Sequence, residues 1–539
     1  MTNLRKPQTH QTQRVASSTL IVVGGVLLSF AIGLLRKRII AGQFGTSFEI
    51  DAYSAVDSVS ELFVTILASG TLVFAFMPLY IESLNGGERP AANQLASSVI
   101  NFLALIAVVA AILVSVLAPT VVRSQFFGIG PGYPLDIQAL MVNLVRISMI
   151  AMVIFSVSSF VTGILHAHGH FWLPALSPAA YSLGIIAGAY LLTPTLGIFG
   201  LAWGAVIGAV LHLTVQIPAL IRNGFVWTPF IGLSNPTFWR VILLVLPRIG
   251  DLFLARVTLT LLAANLNSYL GEGRQSAMSY AYSLMNIPWT LVGTAIGFAI
   301  FPVMSASAAT NDIEQQRKNL SGALCAVLVL IIPSAVGLLL FGRPLIQLLI
   351  ENGKFTVEST NLAFYALQFY VIVLVSQSTL DIVVRAFAAQ KDTLTPLLVS
   401  LFTTAINIGL ALWLTRPWSQ GGLEHGGPPF ANGVAVGIES FIGLVILHFR
   451  WKGIEAKLIL TYGAKACVAA AAMGGIVFIL GKWLNSTPLI FLIVGGVVGV
   501  LVYGSVAVLL GIKEIYSIPN LIIQRARRSA ELKKRPVGS

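Results

Sequence analysis

The chain has 539 residues, 56% hydrophobic and only 10% charged, with a net charge of +13 at pH 7 and a mean hydropathy of +0.86. So little charge cannot cover a soluble domain of this size, which excludes a water-soluble globular protein. The positive excess sits in short loops and the C-terminal tail, so positive-inside topology accounts for it without nucleic acid. With only Cys325 and Cys467 present, no disulfide framework is implied.

Apolar windows of about 20 residues, the length that crosses ~30 Å of hydrocarbon as a helix, recur along the whole chain. Residues 1–16 form a polar, basic segment. The run behind it outlasts a signal peptide and shows no small-residue cleavage site, so it reads as a retained first span. About 14 spans follow, near 17–43, 53–82, 92–120, 138–165, 173–193, 198–221, 241–266, 276–303, 320–341, 361–388, 395–415, 430–449, 459–481 and 488–511. One set of loops and ends carries Arg5, Lys6, Arg14, Arg89, Arg222, Arg240, Arg317, Lys318, Lys391, Arg450 and the basic tail; the other carries only Arg123, Arg274, Arg343, Lys354, Arg416 and Lys482. Both termini are therefore expected in the cytoplasm.

An internal repeat shows without alignment. Phe74-Ala-Phe-Met-Pro78 near the end of span 2 is echoed by Phe298-Ala-Ile-Phe-Pro302 in span 8, an offset of 224. The turn beginning at His166 after span 4 is echoed by the one beginning at Ala388 after span 10, an offset of 222. The expected fold is thus an all-α polytopic membrane protein of two parallel six-helix lobes plus two C-terminal helices. The lobes take residues 17–225 and 241–457, joined by a cytoplasmic linker at 226–240; the extra helices take 458–512 and the basic tail 513–539. Two parallel lobes suit a transporter that binds between them and alternates access, although repeats also build pores and scaffolds.

Charges inside spans cost roughly 2.5–3.5 kcal/mol each on insertion scales, so each needs a cavity or a partner. Span 1 carries Arg36, Lys37 and Arg38 in succession. Successive residues point ~100° apart, so the three cannot share one partner. Asp57 and Glu61 on span 2 lie four residues apart on one face. At ~1.5 Å per residue, Arg36 lies roughly 12 Å and Glu61 roughly 13 Å below the outer ends of their spans, so the two reach the same level. They form either a structural ion pair or part of an anion site. Span 7 carries Arg248, Asp251 and Arg256; Asp251 pairs with Arg248 at i,i+3, while Arg256 is the deeper cation and suits a cavity. Asp381 and Arg385 on span 10 read as an i,i+4 structural pair. His166, His168 and His170 imitate a metal tract but share a tight turn with no acid or cysteine. No phosphate loop, catalytic triad or zinc spacing occurs, so neither an enzyme nor a metal site is expected. Deep arginines on spans 1 and 7, the first helices of the two lobes, suit an anionic headgroup, above all a diphosphate.

Four segments carry a resemblance. They are Gly163-Ile-Leu-His-Ala-His-Gly-His-Phe-Trp-Leu-Pro174, the glycine-rich run from Gly200 to Leu220, Asn352-Gly-Lys-Phe-Thr356, and Asp392-Thr-Leu-Thr-Pro396. Through them the chain resembles the MurJ (MviN) family of lipid II flippases, within the multidrug/oligosaccharidyl-lipid/polysaccharide exporter superfamily. The likeness implies a flippase carrying undecaprenyl-diphosphate-linked peptidoglycan precursor from inner to outer leaflet of the bacterial cytoplasmic membrane. It implies no cofactor beyond a membrane potential or ion gradient, a lipid-linked saccharide as substrate, and cell-wall synthesis proteins as partners. Arg36, Asp51 and Ser29 fall on family substrate-site positions, and Asn407 on an ion-site position. The family's other charges do not recur. Its second span 1 arginine falls at Phe30, its span 2 arginine pair at Val64 and Thr65, its span 8 Asp-Arg at Tyr282 and Ser283, and its span 7 acid near Ala263. Arg38, Lys37, Arg248 and Arg256 are the candidate replacements. The altered charges leave a different lipid-linked glycan as an alternative cargo. A non-transporting scaffold for envelope enzymes is the alternative of another class, and the insertion cost of the deep charges argues against it.

Overall fold

The computed structural model describes residues 8–68, 76–77, 80–84, 89–126, 128–232, 238–239, 261–484 and 487–512. No strand occurs among them; the isolated bridge between Asn352 and Phe355 is the nearest approach to one. In chain order the helices are α1 (Gln8–Phe44), α2 (Phe48–Ala68), α3 (Arg89–Val116) and the short α4 (Ala118–Arg123). Then come α5 (Leu135–Ala167), α6 (Trp172–Leu196) and α7 (Phe199–Arg222), and the short α8 (Ala263–Ser268). After these run α9 (Arg274–Ala309), α10 (Ile313–Leu349), α11 (Val357–Ala389), α12 (Leu394–Leu414), α13 (Glu424–Arg450), α14 (Ala456–Trp483) and α15 (Pro488–Leu509).

Eleven of these helices, α3, α5–α7 and α9–α15, are long and apolar enough to cross a membrane. This is the all-helical, multi-pass character expected of the chain. Expected spans 1 and 2 are the helices α1 and α2, the latter carrying Glu49, Asp51, Asp57 and Glu61. Most of expected span 7, with Arg248, Asp251 and Arg256, lies outside the described residues, as does the tail from residue 513.

The chain forms two compact units. The first holds Met1–Ala277 and Leu349–Ser359; the second holds Met278–Leu348 and Thr360–Ser539. In the first unit α5 is central, packing on α2, α3 and α7, while α6 packs on both α1 and α7. Its core runs through Met141, Leu144, Val145, Met149 and Met152 of α5 and Leu201, Ala202 and Ala205 of α7. The α6–α7 contact is made by small residues at fourfold spacing, Gly184 and Gly188 against Gly200, Gly204 and Gly208. A Cβ at Gly184 would land on the Cα of Gly208, so only glycine lets these backbones touch. Past that contact α6 widens into a π-turn at Gly188–Leu192. Pro194, which has no N–H to donate, follows after Thr193.

Two loops brace this unit. Gly42 O accepts from Lys354 N at 2.9 Å, and Asn352 Nδ2 donates to Arg38 O at 3.0 Å. Together they fasten the end of α1. The start of the expected linker is strapped to α3 by Asn101, whose Nδ2 donates to Thr228 O (2.8 Å) and Phe230 O (3.0 Å). In the second unit α12 packs on α13 and α14 on α15. Tyr503 of α15 donates to Val329 O of α10 at 2.5 Å, joining the last two helices to α10 across a core of Ala466, Ala469, Ala470 and Met473.

Candidate functional site

Within the first unit, α1, α2, α5, α6 and α7 bring one set of polar groups together. On α2, Tyr53, Asp57, Ser60, Glu61 and Val64 recur every three or four residues and form one stripe. The facing stripe on α5 is Ser148, Ala151, Met152 and Phe155. With Tyr181 of α6 and Ala205 of α7 they enclose a cavity of about 190 Å³. Both acids are exposed into this space.

The cations come from α1. Arg36 Cζ lies 5.8 Å from the centroid of the Tyr181 ring, against the cavity wall. Arg36 and Lys37 both interact electrostatically with Asp57, and Lys37 also with Glu61. Arg36 thus acts on Asp57 and Lys37 on both acids. The cavity wall thus carries two acids, and the two cations of α1 offset them from behind Tyr181 and Asp57. An entering anion can exchange places with a carboxylate there at little net cost in buried charge.

A second polar layer stands behind the cavity. Phe155 packs against Tyr181 (centroids 5.2 Å apart) and His212 (4.6 Å). His212 Nδ1 shares a hydrogen bond of 2.6 Å with Ser158 Oγ. Gln216 Nε2 donates to Ser158 Oγ at 3.1 Å and to His212 O at 3.0 Å, and Thr162 Oγ1 donates to Gln216 Oε1 at 2.8 Å. This layer fixes the ring of Phe155 and through it Tyr181. Sequence reasoning missed Tyr181 and His212; an ionisable ring inside span 6 was the available signal.

The remaining candidates are distributed elsewhere. Asp51 is fully buried. Its carboxylate accepts from the backbone N–H of Gly273 (2.6 Å) and Ser276 (2.7 Å), the free donors at the start of α9. Asp51 thus caps a helix far from it in sequence. Ser29 Oγ donates to Ala175 O at 2.7 Å, fastening α1 to α6. Arg38 is half-buried, and its carbonyl is the acceptor for Asn352. In the second unit Asp381 accepts from Trp289 Nε1 at 3.0 Å. Arg385 donates to the backbone oxygen of Asp381 at 3.1 Å and lies 4.8 Å above the Phe298 ring. The expected i,i+4 partners are thus neighbours, but an indole and an aromatic ring share them. Asn407 is buried on α12, one turn from Thr403, which donates to Glu439 Oε2 at 3.2 Å.

Each ring of the histidine turn has its own protein partner. His168 Nε2 meets Tyr80 Oη at 2.9 Å, His170 Nε2 meets Asn223 Oδ1 at 3.1 Å, and His166 stacks on Phe171. Burial, with His170 and Arg89 nearby, holds the His168 imidazole below its ordinary pKa.

The chain matches the family described as "Lipid II flippase MurJ" over residues 40–496. It is 30% identical over 445 residues to "Lipid II flippase MurJ" of Burkholderia cenocepacia, covering 81% of this chain and 84% of that one. It is 28% identical over 501 residues to "Probable lipid II flippase MurJ" of Thermotoga maritima, covering 92% and 96%. Among solved structures, "Lipid II flippase MurJ, inward closed conformation" superposes with a TM-score of 0.74 at 24% identity, over 92% of this chain and all of that one. An inward-facing multidrug resistance MATE family transporter of the MOP superfamily superposes at 0.63 with 14% identity, over 80% and 98%, which speaks for the fold alone. Matched over most of its length, the chain is a member of the lipid II flippase MurJ family.

Proposed function

We propose that this protein is a flippase that carries lipid II, a diphosphate-linked lipid saccharide, from the inner to the outer leaflet of a bacterial cytoplasmic membrane. The observation that carries the reading is the family match across residues 40–496. Arg36 and Lys37 of α1, which act on the cavity acid Asp57, support it, because they offer a guanidinium and an ammonium of the kind a diphosphate needs. In the empty state Asp57 and Glu61 hold the two cations. When substrate enters, its phosphates take over the cations and the acids are released toward water. Only the diphosphate suits a cavity of about 190 Å³; the saccharide extends outside it.

Alternating access of the two six-helix lobes would move the headgroup, with both termini in the cytoplasm. Membrane potential or an ion gradient would bias the cycle, and Asn407 beside Thr403 and Glu439 is the candidate ion position. Cell-wall synthesis proteins are the expected neighbours in the membrane.

The test is complementation. Cells depleted of their own lipid II flippase receive this chain, and lipid II reaching the outer leaflet is measured. Rescue with restored outer-leaflet lipid II supports the reading. A membrane-inserted, folded chain that gives no rescue refutes it and directs attention to another lipid-linked glycan.

A further inference from the structure

Arg146 lies about three turns into α5, a helix long and apolar enough to cross a membrane, and its side chain is exposed. Its hydrogen bonds are two long ones to neutral acceptors: Nε to Ser115 O at 3.4 Å, and Nη1 to Asn143 Oδ1 at 3.4 Å. No carboxylate pairs with it among the described residues. A guanidinium in such surroundings lacks its counter-anion.

What surrounds it is apolar. Arg146 stands at one end of a groove of about 570 Å³ between α3 and α5, lined by Ala111, Ile112, Met149, Ile150 and Val153 among others. The lipid-facing rim is bare, with Ile112 60%, Val116 69% and Ile150 45% exposed. Side chains on a helix lean toward its N-terminus, so Arg146 leans toward the α3–α5 connection. Its contact with Ser115, one residue before the end of α3, sets the guanidinium beside the C-terminal end of that helix. A cation at the end of a membrane-length helix, with an apolar trough running away from it, has the layout of one lipid molecule: phosphate at the cation, acyl chain along the trough.

We infer that the α3–α5 groove is a binding site for an anionic phospholipid, with its phosphate on Arg146 and one acyl chain along Ala111, Met149 and Val153. The net charge selects the headgroup: phosphatidylcholine offers the same phosphodiester but brings a quaternary ammonium that competes with the guanidinium for it, whereas phosphatidylglycerol brings no cation. The site lies wholly in the first unit and does not depend on which saccharide the protein carries.

The test uses the full chain in vesicles of mixed phosphatidylglycerol and phosphatidylcholine, with either lipid carrying a photoreactive acyl chain. Phosphatidylglycerol should label peptides from 108–116 and 146–154, and phosphatidylcholine should label them at least tenfold less. Arg146→Gln should cut the phosphatidylglycerol labelling about tenfold, Arg146→Lys should keep part of it, and thermal unfolding reports that each variant is folded. Ala111→Phe, which fills the trough and leaves the arginine, should also cut labelling. Equal labelling by both lipids, or labelling unmoved by Arg146→Gln or Ala111→Phe, overturns the site. Displacement by an undecaprenyl-diphosphate probe at concentrations where phosphatidylglycerol does not compete overturns it in favour of the cargo.

Discussion

Asp51 separates a structural role from a substrate role more sharply than any other candidate. In the fold its two carboxylate oxygens take the backbone N–H groups of Gly273 and Ser276, and the side chain has no exposed surface. Hydrogen bonds to a charged group contribute ~1.5–3 kcal/mol each, and a buried donor left without a partner costs a similar amount. Asp51→Ala strips both donors at once, so the loss is roughly 3–5 kcal/mol. For a unit of this size that lowers the midpoint of thermal unfolding by on the order of 5–10 °C. Asp51→Asn keeps one acceptor and sets an NH2 against the other N–H, so it falls between the two. Tryptophan fluorescence during heating of the purified protein reads the shift, and outer-leaflet lipid II per folded molecule reads transport. The cap predicts that stability falls first and that transport per folded molecule changes little. Asp51→Ala unfolding within about 1 °C of wild type while transport collapses would refute the reasoning and return Asp51 to the substrate.

Three further outcomes follow from the same structure. Arg36→Gln removes a charge-assisted contact of ~1.5–3 kcal/mol, so substrate binding weakens roughly tenfold to a hundredfold; exchanging Arg36 with Asp57 should recover stability without recovering transport, and recovery of both would show a purely structural pair. Gly208→Ala drives a methyl into the backbone oxygen of Tyr181; spreading α6 from α7 should cost roughly 1–3 kcal/mol and depress transport as well, since Tyr181 lines the cavity, and a neutral outcome in thermal unfolding would contradict the close approach. Arg450 binds Asp392 at 2.7 Å; burial pushes that carboxyl upward, but hydrogen bonds from Thr395 and Arg450 outweigh it and hold the pKa below the ordinary value. A depressed carboxyl pKa gives stability that is present above the unfolded value near 4 and is lost as pH falls through the folded one. For so exposed a pair the effect stays under about 1 kcal/mol, and Asp392→Asn should flatten that part of the acid unfolding profile.

Much of the fold was legible because hydropathy at ~20-residue intervals is a property of single segments. That cations of span 1 could act on acids of span 2 was expected from helical rise, since depth depends on residue count and not on neighbours. What depends on neighbours was hidden. Asp51 finds its donors 222 and 225 residues away, so nothing local marks it as a cap. Tyr181 and His212 matter because α6 packs on α1 and α5 packs on α7, contacts that no periodicity announces. The i,i+4 rule placed Asp381 beside Arg385 correctly, yet could not foresee that Trp289 would claim the carboxylate. Arg248, Asp251 and Arg256 belong to the segment outside the described residues.

The charges that differ from the family pattern are linked by one position. The likeness puts a family arginine where this chain has Val64, and Val64 lines the cavity one turn beyond Glu61. An arginine there would neutralise Glu61 at i,i+3. With valine in its place, Glu61 needs another cation, and Lys37 of α1 supplies the interaction. If the resemblance places that arginine correctly, Lys37 on α1 is positioned to stand in for one positive charge of α2. This predicts that Lys37→Leu lowers transport by removing a cation that acts on Asp57 and Glu61, and that adding Val64→Arg restores it. Val64→Gln in the Lys37→Leu background, of similar length but uncharged, should not. Outer-leaflet lipid II in flippase-depleted cells reads all three, with membrane abundance measured alongside. If Val64→Arg fails to rescue a well-inserted Lys37→Leu protein, or Val64→Gln rescues it equally, the two positions do not share a charge and the relocation argument fails.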